Sequence, residues 1–436
     1  MDSNDQCVAR ALAAATCALL GASAASAADN DKELDRWAFD SALLYYGESD
    51  KRVQDISAAI SATRDFDDDR KLNLSLTADT LTGASASGAI ALDTPQTFTS
   101  PSGNKVYTTS AGEIPLDDTF LDTRFAVTAS WTQPLARLYT ISAGLGFSTE
   151  YDYTHVGANV SLARDFNKRN TTVFAGVAWS QDEMDPVGGA PIPLSEMLDV
   201  GDPSNKLGTD SKDVLDLLVG VTQVLGRNTI LRVNYSLSDS SGYLNDPYKI
   251  VSVVDPLTGD TVSRIPPTGV GPTGLYLYES RPDSRLKHSV YSELKHAFGQ
   301  SVLNVGYRFM TDDWGIESHT ADASLRWPIR GTYFIEPLVR YYLQSEADFY
   351  RSSLRADEPL PEHASADFRL GSFDAVTLGV RIGGTTQGGS EWSTRLQYYM
   401  QSGEIPSDQI IGNQAYREQY PDLSAVIVQF GYKFKM

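Results

Sequence analysis

The densest group of chemically capable side chains is Asp312-Asp313-Trp314-Gly315-Ile316-Glu317-Ser318-His319, which sets three carboxylates beside an imidazole. Such a set could ligate a divalent cation or work as an acid/base pair. Its order reads better as a turn: Asp-Asp-Trp-Gly is turn composition, and His319 shares parity with Ala321, Ala323 and Leu325, the apolar face of the segment that follows. Asp65, Asp67 and Asp69 have the spacing of the first ligands of a helix-loop-helix calcium site. Arg70 stands where that loop requires glycine and Leu76 where it requires the bidentate glutamate, so this too reads as a solvated turn. The histidines at 155, 288, 296, 319 and 363 form no His-x-x-x-His pair, and there is no Gly-x-Ser-x-Gly elbow. The sequence points to no catalytic residue, no metal site and no cofactor. A surface hydrolase built on Asp312, Asp313 and His319 is the least favoured reading.

A second set is more extensive. Arg232, Lys287, Arg308, Arg326, Arg340, Arg381 and Arg395 all fall on the polar parity of alternating segments, together with Lys295 and the carboxylates Glu293, Asp322 and Glu336. Two uses are open. The arginines could line a water-filled constriction, facing an acidic loop folded into it, and create a transverse field that orients polar solutes. Alternatively they could pair with the carboxylates and help to plug the interior.

The elements that would position these residues show in the alternation itself. In Arg124 to Gln133, Phe125, Val127, Ala129 and Trp131 share one parity, and Ala126, Thr128, Ser130 and Thr132 share the other. Tyr139 to Ser148, Val156 to Ala163, Leu231 to Ser238 and Val426 to Phe434 repeat the pattern. Successive side chains of a strand point to opposite faces, so a strand between lipid and a wet lumen carries hydrophobicity of period two. The expected fold is all-β: a transmembrane antiparallel up-and-down β-barrel of about 16 strands, with 14 to 18 admissible because alternation is weak around Gln54 to Ala62. The strands are placed at 37–47, 52–64, 71–82, 121–133, 138–151, 153–164, 171–182, 212–225, 229–239, 285–297, 301–311, 316–327, 332–346, 373–384, 391–402 and 423–434. Every second connection is brief and the long ones fall between, which predicts short periplasmic turns and long extracellular loops. The long loops, 83–120, 183–211, 239–284, 347–372 and 403–422, are rich in Gly, Pro, Asp and Ser and read as functional or disordered. Trp37, Trp131, Tyr139, Trp179, Trp327, Tyr333, Trp392 and Phe434 lie near strand ends, as interfacial girdles require. The 285–297 segment is irregular, because its apolar parity also carries His288 and His296.

Composition narrows the class. Beyond the N-terminus, the 436-residue chain has no apolar run long enough for a helical span. Residues 1–27, with Arg10, an apolar stretch from Ala11 to Ala22 and Ala25-Ser26-Ala27, read as a signal peptide. Residues 28–36 would follow as a short periplasmic segment, and 37–436 as the barrel. Cleavage would remove both cysteines, Cys7 and Cys17, along with Asp2, Asp5 and Arg10, taking the formal charge from −20 to −19. Acidity of this size disfavours nucleic acid as a partner. The expected partners are outer-membrane lipid and lipopolysaccharide, together with the barrel-assembly machinery. The end, Phe430-Gly431-Tyr432-Lys433-Phe434-Lys435-Met436, is similar to a barrel assembly signal.

Several longer segments resemble the bacterial family known as domain of unknown function 3570. They are Leu44-Tyr45-Tyr46-Gly47-Glu48, Thr77 to Ser85, Gly220 to Leu225, Gly242-Tyr243-Leu244-Asn245-Asp246-Pro247-Tyr248-Lys249, Tyr307-Arg308-Phe309 with Asp312 to Thr320, and Arg340 to Phe349. The resemblance implies an outer-membrane barrel. It also implies genetic neighbours, namely a small lipoprotein, a thioredoxin-like protein and a flavin transferase, and hence a periplasmic lipoprotein or redox protein as partner. The leading expectation is a non-enzymatic channel for small solutes or ions; the alternative is a plugged barrel that anchors or scaffolds such a partner.

Overall fold

The computed structural model describes residues 37–49, 52–66, 68–100, 103–201 and 205–436. The expected leader, the segment 28–36 and Asp67 lie outside the described residues.

Sixteen strands form one closed sheet. They are β1 (Trp37–Glu48), β2 (Gln54–Asp65), β3 (Lys71–Ala86), β4 (Leu116–Ala136), β5 (Tyr139–Thr149), β6 (Tyr153–Phe166), β7 (Thr171–Met184) and β8 (Asp210–Gly226), then β9 (Thr229–Gly242), β10 (Ser284–Phe298), β11 (Ser301–Asp312), β12 (Glu317–Pro328), β13 (Phe334–Gln344), β14 (Phe373–Thr385), β15 (Glu391–Gly403) and β16 (Leu423–Lys435). Each pairs antiparallel with its sequence neighbour. β1 also pairs with β16, from Ala38↔Lys435 to Glu48↔Ala425. Trp37 N–H donates to Met436 O at 3.0 Å and Met436 N–H to Trp37 O at 2.9 Å, fixing the seam at its periplasmic end. Closure leaves no strand edge, as a sheet surrounded by hydrocarbon demands. β3 and β4 reach further outward than alternation suggests, because pairing resumes at Ser85↔Asp117 beyond an irregularity at Gly83.

The apolar parity faces out: Val127, Leu145 and Val160 are 50%, 67% and 41% exposed. The histidines on the same face are each satisfied by a neighbouring hydroxyl. His288 Nδ1 bonds Tyr235 Oη at 2.8 Å and His296 Nδ1 bonds Thr229 Oγ1 at 2.8 Å, which explains how β10 tolerates them. Around the short turns, Arg64 lies over Trp37 and Phe66, Arg70 over Trp131, and Arg164 over Tyr139 and Phe166 at 5.0 and 4.5 Å. This belt of rings and guanidinium groups suits the headgroup level, where an apolar body and a charged tip are both solvated.

The long connections are folded. Gln96–Thr99 pairs with Val106–Thr109, and Ile250–Val254 lies between Tyr276–Tyr278 and Leu354–Arg355 in a three-stranded sheet. Their apolar residues form the driest part of the molecule. Phe98 and Tyr276, at 0% and 1% exposure, meet with ring centroids 4.7 Å apart; Val251, Leu277, Leu354 and Ala364 form a second cluster, and Trp314, Phe349, Tyr350 and Leu370 a third. Loops 243–283 and 404–422 touch at Gly259, where φ is +71° and a Cβ would stand 2.0 Å from Ile411 O. Only glycine fits there. The resulting dome covers the outer mouth. Inward positions at the outer strand ends, Tyr46, Asp55, Leu81, Tyr153, Met184, Val214, Ala375 and Ala425, are all buried.

Candidate functional site

The basic set predicted from parity occupies the inner face of β9 to β15, opposite the exposed apolar face. Arg232 and Glu293 are cross-strand partners, with Nη1 3.9 Å from Oε2, and Lys295 Nζ reaches the other Glu293 oxygen at 3.3 Å. Lys287 stands in register with Ser238 and Asp312. Asp322 stands opposite both Gly306 and Arg340. A Cβ at position 306 would come 2.8 Å from Asp322 Oδ1, so the glycine makes room for the carboxylate.

Further along the wall the charges are less matched. Arg308 lies 5.4 Å from the Tyr291 ring. Arg326 and Arg381 both lean on the inward ring of Phe334, at 3.8 and 5.6 Å, and Arg381 Nη2 donates to Ser393 Oγ at 3.2 Å. Arg381 stands opposite Glu336 on one side and Arg395 on the other. Among the described residues, Arg308, Arg326, Arg340, Arg381 and Arg395 have no carboxylate within ion-pair distance, and the buried Nε of Arg395 has no hydrogen-bond partner. Arg308, Arg326 and Arg340 face inward and are nevertheless solvent-exposed. On the neighbouring strands β6 to β8 the inward Phe174 and Leu218 are buried and pack with Ala163.

The charges of the dome are matched. Arg281 binds Glu279 at 2.6 Å and Asp367 at 2.8 Å; Arg369 binds Asp246 at 2.7 Å and also holds Asp367. Burial alone would raise the Asp367 carboxyl, but the Arg369, Lys249 and Arg281 charges outweigh it and hold the group well below the usual carboxylate range. At the rim, burial together with the charges of Asp122, Asp246 and Asp185 pushes Asp152 up to about 6, and the Tyr248 hydroxyl donates to it. Alternation could not reveal this network. Its only sequence trace is Asp246 and Lys249 inside the Gly242–Lys249 segment.

The Asp312–His319 stretch is a turn. Asp312 accepts from Trp314 and Ile316 N–H and binds Arg285 at 2.6 Å, while Arg285 lies 4.3 Å from the Trp314 ring. His319 points outward and bonds Tyr307 Oη at 2.7 Å, away from both aspartates. Among the described residues no group of three or more His, Asp or Glu could hold a metal, and no helix is long and apolar enough to cross a membrane.

A closed antiparallel barrel of sixteen strands, with an apolar exterior, a ring of aromatic and cationic side chains, short turns on one side and long loops on the other, is a protein of the bacterial outer membrane. The chain belongs to the family described as protein of unknown function (DUF3570), which matches residues 9–434. No protein of curated function matches it in sequence. Among solved structures it is similar to a mutant of the ferric enterobactin receptor PfeA from Pseudomonas aeruginosa, at 10% identity and a TM-score of 0.42, covering 85% of this chain and 54% of the receptor. The siderophore receptor PirA from Acinetobacter baumannii gives 10%, 0.40, 85% and 54% in the same terms. A bacterial polysaccharide outer membrane secretin gives 10% identity and a TM-score of 0.44 over 92% of this chain and 99% of its own. The chain thus spans about half the length of the two receptors.

Proposed function

We propose that the protein is a gated channel for small hydrophilic solutes or ions, with a water-filled bore open to the periplasm and an outer mouth covered by the loop dome. The observation that carries this reading is the solvent exposure of Arg308, Arg326 and Arg340 on the inner face of the sheet. Unpaired guanidinium groups are tolerable where water reaches them and costly where it does not. Asp40, Lys71 and Lys433, on the inner face near the periplasmic end, are exposed as well. The reading expects stepwise conductance of the purified protein in planar bilayers, with more frequent openings once the dome is loosened by Arg281→Ala. Absence of steps in both proteins contradicts it.

The covered outer mouth also favours a second reading, in which the periplasm-facing bore seats a lipoprotein or redox protein. That reading expects such a protein to co-purify from native membranes, and a barrel recovered alone counts against it.

A further inference from the structure

We infer that Arg326, Arg340, Arg381 and Arg395 form a binding site for a small phosphate-type oxyanion that enters from the periplasmic end of the bore. The inference rests on the water-filled bore of the preceding reading, but not on passage across the membrane.

These four arginines come from four adjacent strands, β12 to β15. Arg381 and Arg395 are directly opposed in register, an arrangement of like charges that weakens a sheet unless something lies between or beside them. Glu336 and Asp322 are the cross-strand carboxylates of this patch, opposite Arg381 and Arg340, and neither makes an ion pair with the arginine it faces. The same wall shows that pairing is achievable in this geometry, since Arg232 has Glu293. Unpaired positive charge therefore gathers on β11 to β15, where Arg308 lies against the Tyr291 ring and the other four lie beyond it.

Their donors are largely unused, and those of Arg326 and Arg381 are also held in place. The Phe334 ring supports Arg326 and Arg381 through their faces, an interaction that leaves the N–H edges free. Ser393 fixes one Arg381 nitrogen. The side chains of Arg340 and Arg395 make no hydrogen bond to a described residue, and the Arg395 Nε is buried without a partner. Guanidinium forks match the oxygen edges of a tetrahedral oxyanion in bidentate fashion, and groups immobilised before binding lose little entropy on contact. A phosphate dianion would satisfy several forks at once, whereas chloride offers no such geometry. Rings of arginine serve anion and phosphate pores in the same way.

The test uses the full-length barrel in detergent with inorganic phosphate as the probe and chloride at matched ionic strength as the control, followed by calorimetry or phosphorus NMR. Saturable phosphate binding is expected, weakened by on the order of tenfold or more in Arg395→Gln and in Arg381→Gln, and unchanged in Arg232→Gln. Heat-modifiable migration on gels verifies that each variant is folded. Arg395→Lys keeps the charge and loses the fork, so it is expected to weaken binding too. No phosphate binding in the wild type, or full binding in Arg395→Gln or Arg395→Lys, overturns the site. Conductance of the same preparations separates this from the channel reading: phosphate binding without conductance removes the channel alone, and conductance without binding removes the site alone.

Discussion

The dome and the inner wall solve the same problem in opposite ways. Both are rich in arginine. In the dome, Arg281, Arg369 and Arg264 each have carboxylates at 2.5 to 2.8 Å. On the wall, five arginines have none. A buried guanidinium must be matched because losing water costs several kcal/mol per ion, while a hydrated one gains little from a partner. Arg281 and Arg369 of the dome are largely buried and paired, whereas Arg308, Arg326 and Arg340 of the wall are exposed and unpaired, so in these residues pairing follows burial.

That contrast can be broken most forcefully at Arg281. Arg281→Ala leaves Glu279 buried without its cation and leaves Asp367 with Arg369 alone of its two arginines, and should destabilise the dome by about 3–5 kcal/mol. Protease nicking within 243–283 or 345–372, while the barrel still migrates as folded, is the expected outcome. Gly259→Ala should cost about 2–3 kcal/mol, because the left-handed backbone and the Ile411 carbonyl both oppose a Cβ; faster hydrogen exchange at 255–262 and 409–414 would record it.

The Asp152 rim is sensitive to pH. Its carboxyl titrates above the usual range, so the stability it lends is complete below about pH 4 and is lost as pH rises through about 6. The effect should be about 1–2 kcal/mol, with the loops around β5 and β6 more protected at pH 4.5 than at 7.5. Asp152→Asn should flatten the profile. The smallest effect is the most pointed one: Arg395→Gln should change barrel stability by no more than about 0.5 kcal/mol, or raise it, since no partner is orphaned and a like-charge contact is relieved. A loss comparable to that of Arg281→Ala would mean that the wall is as dry as the dome.

The barrel was legible because a membrane strand carries its environment in every residue: one parity set Val127, Leu145 and Val160 outward, and the other set the arginines inward. The dome was not legible. Phe98 meets Tyr276, and Ile250–Val254 meets Leu354, across long sequence separations and within irregular backbone that has no period. Such loops read as polar connections, although they contain the most deeply buried side chains. The wall lay between these cases. Parity and register gave its members, but register did not give their pairing: Arg232 and Arg340 both stand opposite a carboxylate, Glu293 and Asp322, and only the first approaches it within ion-pair distance. Glycine at 306 and the inward Phe334 ring, which shape the wall, carried no signal beyond their strand positions.

Water access to Arg340 from one side only is the point on which the account turns. The chain's two cysteines are Cys7 and Cys17, so Arg340→Cys combined with Cys7→Ser and Cys17→Ser supplies a unique reporter for a membrane-impermeant thiol reagent. Labelling is expected when the reagent is admitted to the periplasmic face and not when it is applied to intact cells; rapid labelling from outside, or none from either side, would contradict a bore that is wet within and covered without.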